Sequence, residues 1–232
     1  MPNHITNIIA FECSDERFKE IAEFVRGDKD KPLGNVDFNT LIPMPESLNI
    51  EASSMGDEGY RAYKEFVQKA WELEDDEEIE ELESHYKERF KNEPELWALG
   101  KKYFENERNY GSTNWYDWRL DHWNTKWNAY DCEDIEPDYG YLEFFTAWSG
   151  VFPVIEALSS QFPDVTVHYA WADEALGSNV GTIDYKDGKI LRELIPDDFS
   201  KEAYELAAEI WGYDLADEGY VLSADGTTYE YR

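Results

Sequence analysis

Apolar and polar positions alternate between two periods along this chain, and the switch marks its organisation. Residues 3–12 read as a strand. Ser14 or Asp15 then caps a helix running to about Arg26, with Phe18, Ile21, Ala22 and Val25 at helical spacing and Gly27 to end it. Val36 to Leu41 can be extended, and Pro43 and Pro45 break whatever follows. From 57 to about 123 the period is helical. Tyr60, Tyr63, Phe66, Val67, Ala70 and Trp71 form one stripe, and Ile79, Leu82, Tyr86 and Phe90 a second. A third helix starts at Pro94 and buries Leu96, Trp97, Leu99 and Tyr103, and a fourth, capped by Ser112, carries Trp115, Trp118 and His122.

After this the period changes to two. Lys126 to Cys132, Tyr141 to Trp148 and Val165 to Trp171 read as strands, with a helix over Pro153 to Gln161 between the last two. Val180 to Tyr185 and Lys189 to Leu194 flank Lys186-Asp187-Gly188, a hairpin signal. Phe199 to Trp211 is a final helix, and a short hairpin around Asp225-Gly226 closes the chain. This order predicts an α+β fold: a ferredoxin-like split β-α-β antiparallel sheet with a helical insertion and a C-terminal helix extension. The expected organisation is one domain over 1–232, with the insertion at 57–123.

Charge alters the picture. Against 52 Asp and Glu stand 21 Lys and Arg, a net charge of −31. Such a surface repels nucleic acid and anionic lipid. Aromatic residues at 16% and hydrophobic residues at 42% supply a core, so the chain is not a disordered acidic tail. The excess is uneven: residues 131–232 hold 23 acids and 5 bases, whereas 110–130, rich in Trp and Tyr, hold 2 of each. Cys13 and Cys132 make no disulfide framework, and no apolar run reaches the roughly 18 residues of a spanning helix. The expected location is inside the cell, in the cytoplasm.

Several segments, in order, carry a family resemblance. They are Met1-Pro2-Asn3-His4, Ile42-Pro43-Met44-Pro45-Glu46-Ser47-Leu48, the stretch His122 to Tyr130, Thr146-Ala147-Trp148-Ser149, Pro153 to Leu158, Phe162-Pro163-Asp164, and Ala172-Asp173-Glu174. Together the sequence resembles the YubB ferredoxin-like family of plasmid and phage proteins. Two positions depart from that pattern: Asn124 stands where a glycine is expected, and Gly150-Val151 where prolines are. The resemblance implies the ferredoxin-like fold and a mobile-element setting, with no assigned reaction.

No Walker loop, G-x-S-x-G elbow, H-E-x-x-H or paired C-x-x-C occurs. Acidic neighbours of Cys132 disfavour a thiolate there. His4, His85, His122 and His168 are scattered, and only His4 and His168 could meet, on adjacent strands. Clustered acids after residue 130 fit no EF-hand spacing, so no metal, cofactor or catalytic residue is expected.

The expected function is therefore non-enzymatic. A polyanionic surface would occupy a basic protein groove that normally holds DNA or RNA, as a nucleic-acid mimic acting on a host defence protein. Its 31 net charges match the phosphates of about fifteen base pairs. The expected partner-binding residues are Asp75, Asp76, Glu77, Glu78, Glu80 and Glu81 on the insertion, and Glu133, Asp134, Glu136 and Asp138 after the aromatic stretch. Exposed Trp115 or Trp118 would add anchor contacts. The alternative is a small-ligand site or an unassigned enzyme, with a cleft of Trp123, Lys126, Trp127, Trp148, Asp173 and Glu174.

Overall fold

A computed structural model of the chain describes residues 2–135 and 139–232. Two compact units emerge, Met1–Pro43 with His122–Arg232, and Met44–Asp121.

In the first unit, strict alternation puts Ile5, Asn7 and Ile9 of β1 (His4–Glu12) on one buried face. The other strands are β2 (Tyr141–Ala147), β3 (Thr166–Asp173), β4 (Val180–Lys186) and β5 (Lys189–Leu194), and the sheet order is β2-β1-β3-β4-β5. Every neighbouring pair is antiparallel. Helix α6 (Phe152–Gln161) joins β2 to β3, which run parallel with β1 between them. That is a split β-α-β unit. Asp187 and Gly188, both at positive φ (50° and 68°), form the two-residue turn of the β4–β5 hairpin.

Helices lie on both faces. On the inner face, α1 (Asp15–Val25) is capped by Ser14 and brings Phe18 to Phe11 of β1, while Phe152 of α6 packs edge-on against Trp171 at 4.7 Å. Arg17 of α1 clamps Asp164 with two hydrogen bonds (2.7 and 3.1 Å), tying α1 to the end of α6. On the outer face, α7 (Lys201–Trp211) buries Ala203, Tyr204 and Ala207 against Ala172, Leu176 and Val180. A small hairpin, β6 (Tyr220–Leu222) with β7 (Tyr229–Tyr231), packs Tyr220 and Tyr229 onto that cluster.

Three local expectations are corrected. Lys126 to Cys132 is not a strand: only Tyr130 bridges Phe145, because Asn124 and Asp131 take positive φ (63° and 46°) and turn the chain on either side. Val36 to Leu41 is not extended throughout. Asp37 caps a 3₁₀ turn over Phe38–Thr40, and Asn128 both accepts from the Phe38 N–H (2.9 Å) and donates to Asp37 (2.7 Å). Lastly, Ser112 is buried and the cap passes to Asn114, whose Oδ1 accepts from Tyr116 N at 2.9 Å.

The second unit is helical. It holds α2 (Ser54–Ala70), α3 (Asp76–Arg89), α4 (Pro94–Tyr110) and most of α5 (Trp115–Trp123). Its core is aromatic, with Phe66, Tyr86, Phe90 and Trp97 around Ala62 and Leu96. Ser53 and Asp75 cap α2 and α3 by side-chain hydrogen bonds, and Pro94 takes the first turn of α4. Gly59 and Gly100 let the α2 and α4 backbones touch.

Candidate functional site

At one end of the sheet, three of the segments that carry the family resemblance, those holding Asn3, Trp148 and Asp173, meet at a buried carboxylate. Asp173, at the end of β3, is 7% exposed. Its oxygens accept from Asn3 Nδ2 (2.9 Å), Ala175 N (2.8 Å) and Asn179 Nδ2 (3.2 Å). The same two asparagines grip Trp148, whose N–H donates to Asn3 O at 3.0 Å and whose carbonyl accepts from Asn179 Nδ2 at 3.0 Å. Trp148 sits at φ 71°, a left-handed conformation that costs a bulky residue roughly 1–3 kcal/mol and persists only where neighbours enforce it. Strain of this kind gathers at functional sites.

The enforced geometry aims the indole outward, 44% exposed. Lys126 Nζ lies 4.0 Å from the Trp148 ring centroid and 4.0 Å from that of Trp127, itself 40% exposed. An ammonium is thus held between two indole faces, a cation–π sandwich on the surface. Behind it, Tyr130 meets Trp127 edge-on at 6.0 Å, donates to Thr146 O (3.1 Å) and accepts from His4 Nδ1 (2.8 Å). Burial pushes the Tyr130 hydroxyl above its ordinary pKa, aided by Asp131 and Glu174.

Lys126, Trp127, Trp148 and Asp173 therefore come together, with Asp173 as the positioning group and the aromatic pair as the exposed surface. Trp123 is elsewhere. It is fully buried, donates Nε1–H to Ile42 O (3.0 Å) and packs edge-on against Phe38 at 5.5 Å. Glu174 is exposed, and its N–H donates to His4 O at 2.9 Å. Asn3 and Asn179 do the positioning, and neither carries a chemical motif of its own in the sequence. Asn3 was visible only inside the Met1-Pro2-Asn3-His4 motif, and Asn179 only as a polar residue after Gly177.

The two departures from the family pattern meet at one contact. Asn124 is left-handed, as the expected glycine would be, and asparagine tolerates that region. Its Nδ2 donates to Gly150 O at 2.8 Å. At Gly150 a Cβ would lie 2.6 Å from the Tyr169 hydroxyl, so the chain needs glycine there for close approach.

The acidic positions divide between the units. Asp75 caps α3, and Asp76, Glu77, Glu78, Glu80 and Glu81 occupy its first two turns, all exposed. Glu77, Glu80 and Glu81 line a shallow depression with Ser84. Glu133 and Asp134 are exposed in the sheet unit just before β2, where Glu133 N donates to Glu143 O (3.1 Å). Glu136 and Asp138 lie outside the described residues. Of the suggested anchors, Trp118 is 5% exposed, which removes it from any surface, and Trp115 is half-buried beneath Arg119.

Other candidates resolve structurally. His4 and His168 do lie on adjacent strands, but His168 stands opposite Ala10, far along the register from His4. Burial raises the Cys132 thiol, with Asp131 adding to it, and both cysteines are free. Among the described residues, no three His, Cys, Asp or Glu side chains gather to hold a metal, and no helix is long and apolar enough to cross a membrane.

Sheet order, split β-α-β unit and flanking helices define a ferredoxin-like α+β protein. More particularly, residues 122–214 match the family model described as the ferredoxin-like domain in Api92-like protein. Among solved structures, the chain is similar to the crystal structure of protein api92 from Yersinia pseudotuberculosis. The two are 11% identical with a TM-score of 0.36, over 84% of this chain and 98% of that one. No curated protein matches the chain.

Proposed function

We propose that this protein acts without catalysis, as an acidic interaction protein of a phage or plasmid. It occupies a basic groove on a nucleic-acid-binding or defence protein in the cytoplasm of a bacterial host, in place of the nucleic acid. The observation that carries this reading is how charge is compensated in the helical unit. Lys64, Lys69, Lys87, Arg89, Lys91 and Lys101 all pair with acids, namely Glu107, Glu65, Glu83, Glu65 again, Glu88 and Glu105. Among the described residues, Asp75, Asp76, Glu77, Glu78, Glu80 and Glu81 have no cationic partner. Ordinary solvated helices mix signs along their length, whereas α3 confines its bases to the last turns.

The mobile-element setting rests on the resemblance to the YubB family. A polyanionic face captures basic partners fast and in a salt-dependent way. In the sheet unit, the exposed aromatics Trp127 and Trp148 offer a contact surface of their own.

The test is displacement. Bacterial DNA-binding and defence proteins are loaded on labelled DNA, the protein is added at low salt, and DNA release is followed. Release should occur for at least one of them, fade as salt rises, and weaken when Asp75, Asp76, Glu77, Glu78, Glu80 and Glu81 are changed together to Asn and Gln. No release from any of them, or release indifferent to those six substitutions, sinks the reading.

A further inference from the structure

Helix α7 covers only one half of the outer face of the sheet. The other half is a cavity of about 450 Å³ whose floor is Ile8, Ala10 and Ala170, all half-buried. Its volume falls in the range of small-molecule sites, which are mainly apolar with a few placed polar groups. Those groups here are His168, Thr182, Asp184 and Arg192.

Their bonding decides which ligand fits. Asp184 Oδ1 lies 2.7 Å from His168 Nδ1, and Glu12 Oε1 lies 3.1 Å from His168 Nε2, so each carboxylate is engaged by the imidazole between them. In contrast, the Thr182 hydroxyl and the Arg192 guanidinium line the cavity with no hydrogen-bond or ion-pair partner among the described residues. Both are donors. Arg192 stands directly opposite Asp184 on β5, and Lys189 directly opposite Lys186, so these residues share the outer face. Lys186, Lys189 and Arg192 are three of the six bases in residues 122–232, and against Asp184, Asp187 and Glu193 they leave this hairpin neutral within a very acidic protein.

We propose that this open half of the sheet binds a small organic anion with an apolar body, its carboxylate or sulfonate held by Arg192 and Thr182 and its body laid on Ile8, Ala10 and Ala170. The argument is independent of the acidic surface, because the two features use different residues and opposite charge. A fork of guanidinium donors matches an oxyanion better than any other ligand group. An overall charge of −31 disfavours anions over most of the surface, and the Arg192→Gln variant separates this site from the neutral aromatic surface around Lys126.

The experiment uses the full-length protein and 8-anilinonaphthalene-1-sulfonate, with N-phenyl-1-naphthylamine as the same ring system lacking the sulfonate. Fluorescence titration should saturate at one sulfonate probe per chain. Arg192→Gln, at an exposed edge strand, should weaken the sulfonate probe about tenfold and leave the neutral probe unchanged. Ala170→Trp, which fills the floor, should abolish binding of both. Circular dichroism and a cooperative melt establish that each variant is folded. If Ala170→Trp does not fold, Arg192→Gln decides alone. Failure of the sulfonate probe to saturate, or equal affinity in Arg192→Gln, overturns the proposal.

Discussion

Tyr169 and Asn7 meet in the middle of the inner face of the sheet, with the phenol donating to Asn7 Oδ1 at 2.7 Å and both residues fully buried. The pair joins β3 to β1, and its remaining groups extend the link. Asn7 Nδ2 donates to Ile5 O and to Thr146 Oγ1 of β2, each at 2.9 Å, and Tyr169 Oη accepts from Val151 N, just before α6, at 2.9 Å. A buried polar hub of this kind is stable only when every group is satisfied. Burial holds the Tyr169 hydroxyl protonated far above its ordinary range.

Tyr169→Phe removes one oxygen and strands two partners, the Asn7 carbonyl oxygen and the Val151 N–H. A buried group left unsatisfied costs about 1–3 kcal/mol. Urea unfolding should show a loss of that size with an unchanged slope, and an unchanged midpoint would show that the hub contributes nothing.

The Lys126 sandwich has a direct spectroscopic signature. Protons on the carbon next to the ammonium lie under two indole faces, whose ring currents shift them upfield. In an NMR spectrum the Lys126 ε-methylene should resonate well below its free-lysine position, and Trp148→Ala should remove about half of the displacement. Lys126→Met should cost stability by about 0.5–1 kcal/mol, the value of a cation–π contact at an exposed site.

Gly100 faces Gly59 where α2 and α4 cross, and a methyl group at Gly100 would overlap the Gly59 backbone. The backbone cannot rotate away as a side chain can. Gly100→Ala should therefore destabilise the helical unit by about 1–3 kcal/mol through overpacking, even though alanine is the better helix former. Thermal unfolding followed by circular dichroism at a helical wavelength checks this, and a gain in stability would contradict the close crossing.

His168 makes stability depend on pH. Burial lowers its pKa, but the hydrogen bonds and charges of Asp184 and Glu12 outweigh that and raise it overall. The charged groups facing it are Glu12 from β1, Asp184 from β4 and, across the same cavity, Arg192 from β5. A raised folded pKa means that the contribution is fully present below the unfolded value of about 6.5 and is lost as pH rises through the folded value. Because the ring is 38% exposed, the gain is that of a surface pair, about 0.2–1 kcal/mol. Urea midpoints of the protein and of His168→Gln should converge as pH rises above neutral and diverge below it, and parallel curves would exclude the effect.

The Asp187-Gly188 hairpin, the α1, α6 and α7 boundaries, the α+β class and the aromatic stripes of the insertion are local properties, except that Trp71, placed in the first stripe, lies at the C-cap of α2 and is 89% exposed. Period, caps and turn residues express them within a few positions, so the sequence by itself determined them. The same holds for the acidic start of α3, where charge and helix period are both written in one run of residues. Three-dimensional packing decided the rest. Whether Trp123 or Trp127 faces solvent depends on Asn124 turning left-handed and on Phe38 arriving from a distant loop. That Asp173 serves as the anchor of a strained Trp148 depends on Asn3 and Asn179, which are 170 and 6 residues away from it. The cavity over Ile8, Ala10 and Ala170 exists because α7 ends where it does on the outer face, and no alternation along a strand encodes how far another element reaches across it.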